Sequence, residues 1–196
     1  MDIEYEVTFT NIDKEEVRER LRKVGGKLKR AEFLMKRVAF NLPTGHEKPK
    51  AWVRVRDEQD KITMTFKQID GDQMEDQKEI NLEVDNFEQG VNMLKILGCE
   101  EKSFQENKRE IWELEGVEVC LDTWPWVEPY VEVEGKSKEA VLRVCELLGF
   151  DYEQGLIGAA DNVISLQYGN PVDLINNHTP RIVFGKVNPY LVHLNK

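Results

Sequence analysis

The feature that most constrains the fold is charge placed at a period of two. In the stretch Ile3-Glu4-Tyr5-Glu6-Val7-Thr8-Phe9, an extended chain sends successive side chains to opposite faces. Glu4, Glu6 and Thr8 share one face, and Ile3, Tyr5, Val7 and Phe9 share the other. Neighbouring carboxylates repel unless water, a cation or basic side chains stand opposite them. The alternation returns with the other sign at 51–57, where Arg54 and Arg56 oppose Val53 and Val55. It returns at 61–68, with Lys67 opposite Ile62, Met64 and Phe66, and at 77–84, with Glu79 and Glu83 opposite Ile80 and Leu82. A last strand at 127–134 carries Glu132 and Glu134.

Between these runs the period changes. Residues 11–25, 86–97 and 137–148 place apolar side chains at helical spacing and end on glycine, and a shorter helix is expected at 158–168. Further strands are expected at 27–41, 101–114 and 117–122. The plan is α+β with an antiparallel sheet. An open sheet with one wet face would be ordinary, but wet faces mix their polar residues, whereas here like charges are grouped strand by strand. About eight strands are enough to close a small barrel. Closure with the helices outside would gather both signs of charge in one polar channel, which is costly unless a ligand balances it.

Composition narrows the ligand. The chain has 196 residues, 40% apolar and 33% charged, a globular makeup with no stretch of membrane-spanning length. Thirty-seven acids against 27 bases give a net charge of -10, which argues against a nucleic-acid surface and repels anions at long range. An anionic substrate therefore needs a local basic pocket, a bridging cation, or both. Cys99, Cys120 and Cys145 are widely spaced in apolar contexts and read as reduced core thiols. The sequence shows no basic and apolar leader, so a cytoplasmic location is expected.

The ordered set Glu4-x-Glu6, Arg54-x-Arg56, Lys67, Asp122 and Glu132-x-Glu134 resembles the CYTH family. This is the superfamily of triphosphate tunnel metalloenzymes, named for class IV adenylyl cyclases and thiamine triphosphatase. The resemblance covers residues 1–168 and leaves 169–196 as a C-terminal appendage. It implies an eight-stranded antiparallel β-tunnel with a charged interior and helices packed outside. It also implies that Arg54, Arg56, Lys67 and Arg109 cradle a triphosphate, with Glu79 and Glu83 on the channel face as further substrate-side groups. Glu4, Glu6, Asp122, Glu132 and Glu134 would hold Mg²⁺ or Mn²⁺, and Glu4 and Glu6 would be catalytic through a metal-activated nucleophile. The implied function is divalent-metal-dependent hydrolysis of ATP, thiamine triphosphate or inorganic triphosphate. The alternatives are a class IV-type cyclase making cyclic AMP and pyrophosphate, or a non-catalytic nucleotide- or polyphosphate-binding module. No nucleic-acid or membrane partner is expected, and a homodimer is left open.

The sequence departs from the family pattern in two places. The signature Glu-x-Glu-x-Lys ends here in Thr8, and a basic pair is reduced to Asn107 and Arg109. The parity of the third strand leaves open which of Lys36 and Arg37 reaches the channel. Trp124-Pro125-Trp126 reads as a turn with an aromatic over the tunnel rim, against a second reading as a base-stacking platform. Trp52 and Trp112 read as structural, and His46, His178 and His193 as surface residues.

Overall fold

A computed structural model of the chain describes residues 1–193. The side chain of His193, expected at the surface, lies outside what it describes. In chain order the elements are β1 (Asp2–Ile3), β2 (Tyr5–Phe9), α1 (Lys14–Lys23), β3 (Lys27–Asn41), β4 (Ala51–Asp57), β5 (Ile62–Ile69) and β6 (Gln77–Val84). There follow α2 (Phe87–Ile96), β7 (Glu100–Leu114), β8 (Val117–Thr123), β9 (Tyr130–Gly135), α3 (Lys138–Leu148), α4 (Ala160–Tyr168), α5 (Val172–His178) and β10 (Arg181–Ile182).

The sheet runs β1-β6-β5-β4-β3-β7-β8-β9-β2. Since β1 and β2 are one N-terminal run broken only at Glu4, that run stands at both ends of the order and the sheet curls into a barrel. Counted this way, the antiparallel barrel has the eight strands expected. Its seam pairs Asp2 with Glu79 on one side and Tyr5 to Phe9 with Gly135 to Val131 on the other. At the break, the Glu4 N–H donates to the Gln77 carbonyl at 2.9 Å. The Gln77 side-chain amide reaches back to the carbonyls of Glu4 and Glu6 at 3.3 and 3.0 Å. Pairing thus passes from one neighbour strand to the other with the buried backbone groups satisfied.

Period-two alternation sorts the side chains. Val7, Phe9, Val119, Leu121, Val131 and Val133 face outward into a core shared with α1 and α3. Val38, Phe40, Val53 and Val55 face outward under Leu94 of α2. Helices α1, α2 and α3 start where an Asp13, Asn86 or Ser137 side chain accepts from free N–H groups of the first turn. The β7–β8 hairpin turns at Glu115 and Gly116, both with positive φ (51° and 81°), the combination a two-residue primed turn demands. The boundary that differs most among the strands is that of β9, which begins at Tyr130 rather than at 127. Pro129 has no N–H for a ladder, and its carbonyl instead accepts from Ile12 N at 3.3 Å.

The end of the barrel at the β8–β9 turn is covered by chain that follows α3. Thr8 and Leu156 exchange backbone hydrogen bonds of 3.0 and 2.8 Å along the outer edge of β2. β10 runs parallel to β7 at Phe104 and Gln105, on the edge that β8 leaves free beyond Lys108. Ile164, Ile175, Ile182 and Tyr190 pack with Trp124 and Tyr130 in a third apolar cluster. No helix among the described residues is long and apolar enough to cross a membrane.

Candidate functional site

The inward faces enclose a cavity of about 1050 Å³ lined by charged side chains of both signs. Alternation along β2 and β9 puts Glu4, Glu6, Glu132 and Glu134 on its wall, and β3, β4 and β7 contribute Arg37, Arg54, Arg56 and Arg109. Lys67 and Glu79 join them from the paired strands β5 and β6, and further charged side chains, among them Glu58, Lys102, Glu118 and Asp161, also line the space.

On the acidic wall, Glu4, Glu6 and Glu134 each present a carboxylate oxygen, and the three oxygens lie within 4.8 Å of one another. Burial pushes the Glu6 carboxyl well above the usual range, and the neighbouring Glu132, Glu4 and Glu134 push it further. Burial and Glu4 raise Glu134 to about 7. Burial works against charge on Glu4 as well, but the Lys67 ammonium, 2.5 Å from both its oxygens, wins and holds it below the usual range. Three hard oxygen donors that resist sharing one volume as anions suit a small divalent cation, whose charge would favour their ionised form. The residues therefore fit the metal that the family resemblance implies.

The basic wall is only partly neutralised. Arg56 pairs with Glu58 at 2.7 Å, and Arg109 donates to both oxygens of Asp122, at 3.1 and 2.6 Å, and to Glu132. Among the described residues, Arg37 and Arg54 have no acidic partner within salt-bridge distance, and the buried Nε–H of each lacks any acceptor. Burial and the adjacent Arg56 depress Arg54 to about 10. Burial and the guanidiniums of Arg54, Arg56 and Arg109 depress Arg37 well below its ordinary value. A buried donor without an acceptor is costly, and planar guanidinium forks match the oxygens of a phosphate. An anionic ligand would remove both costs.

Of the residues singled out in the sequence, Glu4, Glu6, Arg54, Arg56, Lys67, Glu79, Arg109, Glu132 and Glu134 meet in this cavity. Asp122 is fully buried behind Arg109 and outside the lining, where it also accepts from Asn107 Nδ2 at 2.7 Å. It orients the basic wall and does not join the carboxylate trio. Glu83, opposite Thr63 near the far rim, is exposed and outside the lining. Thr8 is buried, also outside the lining, with its backbone engaged by Leu156.

Arg37 settles the parity of β3: it is buried in the cavity, while Lys36 is exposed. The Arg37 guanidinium donates to the Asn107 side chain, so a cation stands beside the position where the basic pair falls short. Trp124 packs with Arg37 over its ring, 4.7 Å from the centroid, and Trp126 donates Nε1–H to the Lys186 carbonyl at 2.7 Å. Trp124 also lines the cavity, in keeping with the reading of an aromatic over the tunnel rim, and Trp112 is a core residue. Trp52 lines the cavity, a position its reading as structural did not foresee. His46 and His178 are exposed. Glu58 and the lining contributed after residue 155 carried no sequence signal, since their positions depend on a turn and on distant packing.

Solved structures share this fold. A conserved hypothetical protein from Pyrococcus furiosus superposes with TM-score 0.68 at 24% identity, over 82% of this chain and 99% of its own. A Vibrio parahaemolyticus protein proposed as an adenylate cyclase gives TM-score 0.70 at 10% identity, over 84% and 98%. A Hippeastrum protein proposed as an adenylyl cyclase, with a dominant triphosphatase activity, gives 0.55 at 14% identity, over 90% and 100%. No curated protein matches the sequence significantly. The CYTH domain model matches residues 3–161, a span that holds both charged walls of the barrel, and the chain belongs to the CYTH family of triphosphate tunnel metalloenzymes.

Proposed function

We propose that the protein binds a triphosphate inside the barrel and hydrolyses it with a divalent cation, Mg²⁺ or Mn²⁺. One observation carries this reading: unpaired buried guanidiniums and a convergent carboxylate trio line the same cavity. Arg37, Arg54, Arg56 and Arg109 would bind the phosphate oxygens and take up the charge that develops on them, in a site where fixed donors act more strongly than in water. Glu4, Glu6 and Glu134 would hold the metal, with Glu132 beside them. Bound there, a divalent ion supplies Lewis-acid neutralisation of phosphate charge. Asp122 fixes the Arg109 fork, and Lys67 holds Glu4 in place. In hydrolysis, water attacks the terminal phosphorus and the remaining diphosphate leaves, so positioning matters more than covalent help. Cyclisation of ATP would use the same walls. Hydrolysis is favoured because the face of Trp124 is taken by Arg37, and Trp126 is tied to Lys186. The free thiols Cys99, Cys120 and Cys145 fit a reducing cytoplasm as the place of action.

The test is turnover by purified protein with Mg²⁺ or Mn²⁺ on ATP, thiamine triphosphate and inorganic triphosphate, scoring phosphate, pyrophosphate and cyclic AMP separately. The expected result is metal-dependent phosphate release that disappears in the Glu4→Gln/Glu6→Gln variant. Cyclic AMP with pyrophosphate would replace hydrolysis by cyclisation. Ligand-induced thermal stabilisation without any product would make the protein a binding module.

A further inference from the structure

Strand β6 is paired on both sides over only part of its length. β5 runs along one side without a bulge from Gln77 to Val84. On the other side the Glu4 N–H reaches the Gln77 carbonyl, and β1 pairs with Lys78 and Glu79. Beyond Glu79 no strand among the described residues lies on that side. In an antiparallel strand the N–H and C=O of one residue point to the same neighbour, and successive residues alternate. Gln77 points to the N-terminal run, so Asn81 and Glu83 point the same way, where their backbone groups meet no strand. Between them the side chains turn outward: Ile80 and Leu82 are 46% and 56% exposed, beside half-buried Phe66 and Met64 of β5. An unprotected edge with apolar side chains is a template for another strand.

The edge is complementary to itself, which selects the strand that fits it. A second copy laid antiparallel with Leu82 on a twofold axis sets Leu82 against Leu82, Ile80 against Val84 and Asn81 against Glu83. Asn81 and Glu83 then exchange N–H···O=C bonds, twice by symmetry, which uses the free backbone groups of both residues. On the outer face only apolar side chains meet. On the inner face a carboxamide meets a carboxylate: the Asn81 oxygen already accepts from Thr65 Oγ1 at 2.7 Å, and its amide N–H groups remain for Glu83. The neighbouring registers oppose like charges. An axis on Asn81 sets Glu79 against Glu83, and an axis on Glu83 sets that residue against itself. β6 ends at Val84, so the second copy leaves the ladder before Glu79, which Asp2 occupies. Met1, exposed and outside β1, has to turn aside for Val84 of the second copy, at no cost in ladder bonds.

We propose that two copies of this chain associate through the free half of β6, in an isologous antiparallel ladder with Leu82 on the twofold axis. The sheet of one barrel then continues into the sheet of the other. The contact is short, so association depends on protein concentration and is not permanent. The ladder also places the partner's Glu83 beside Asn81, a residue that lines the cavity, although Glu83 of the same copy lies outside that lining.

The experiment is sedimentation of the full chain over a range of concentrations, followed by crosslinking that reads the register. The average mass is expected to rise from one chain toward two as concentration increases. Glu83→Pro removes an N–H that a single copy leaves unused, at an edge position where proline is tolerated. It is expected to weaken association by about tenfold or more, because symmetry removes two hydrogen bonds at once, and to leave the melting temperature of the dilute protein unchanged. Under mild oxidation Leu82→Cys is expected to give disulfide-linked dimers, since directly opposed residues of a non-hydrogen-bonded pair stand about 4.5 Å apart between Cα atoms. Ile80→Cys is expected to give none, because the two copies of that position lie at least about 13 Å apart. The unaltered protein, whose Cys99 is partly exposed, is the control. A mass of one chain at every concentration would overturn the proposal and leave the edge to a different partner. Association untouched by Glu83→Pro would also overturn it, as would crosslinking as ready at Ile80 as at Leu82. Should Glu83→Pro fail to fold in the melts, the crosslinking comparison decides alone.

Discussion

At the scale of single residues, the site is a set of charges that the fold holds in uncomfortable positions. Arg54 is half-buried, with a buried Nε–H that lacks an acceptor and no acidic partner among the described residues, and removing such a charge is often neutral or stabilising. Arg54→Met is therefore expected to leave the ligand-free protein as stable or to stabilise it by about 1–2 kcal/mol. It should also weaken triphosphate binding by about tenfold or more, the worth of a charge-assisted hydrogen bond. Thermal melts and titration calorimetry check the two halves. Glu134, raised from 4.5 to about 7, holds its proton more tightly in the folded state. Its contribution to stability is complete below pH 4.5 and disappears as pH rises through 7. Glu4, held low by Lys67, acts in the opposite sense and at lower pH. The melting temperature of the metal-free protein should thus fall between pH 5 and 7.5 (about the interval spanned by the shift), and Glu134→Gln should flatten that slope. Most of these residues were legible because alternation in β2, β4, β5 and β9 is unbroken. Arg37 was half legible: Val38 and Phe40 share the outward face, which fixes Arg37 inward, but Phe33, Met35 and Ala39 make the inner face of β3 apolar too.

At the scale of elements, the N-terminal strand does two jobs. By breaking at Glu4 it pairs with β6 and then with β9, and the same break sets one carboxylate of the converging trio at the seam. Its outer edge is closed by the approach of Gly155, where an added Cβ would lie 2.2 Å from Val7 Cγ2 and 3.0 Å from the Tyr152 carbonyl. Gly155→Ala is expected to cost about 1–3 kcal/mol through overpacking, read as a lower urea midpoint at unchanged m-value. The limits of β3, β4 and β6 could be read from the sequence because polar turns bracket runs of one period. The start of β9 could not, because Val127 and Tyr130 look strand-like while Pro129 interrupts the ladder. The elements after Gly169 are a helix of seven residues, a strand of two and a 3₁₀ helix of five. Segments that short draw their conformation from the barrel end they cover, so no period marks them.

At the scale of the whole molecule, a chain of net charge -10 keeps its unpaired guanidiniums inside and its excess of acids mostly elsewhere. That arrangement needs the cavity to do locally what the net charge opposes at distance. It also makes the two walls interdependent, because a cation on the carboxylates and an anion on the guanidiniums would face each other across one space. Binding of each should therefore favour the other by the same factor. The most direct measurement is calorimetric titration of inorganic triphosphate into the protein with and without Mn²⁺, and of Mn²⁺ with and without triphosphate, corrected for the complex the two form in solution. The expected result is saturable binding in which each ligand tightens the other by an equal factor of about tenfold or more, within the ordinary range of coupling energies. Affinities that ignore the second ligand, or no binding of triphosphate under either condition, would contradict the account.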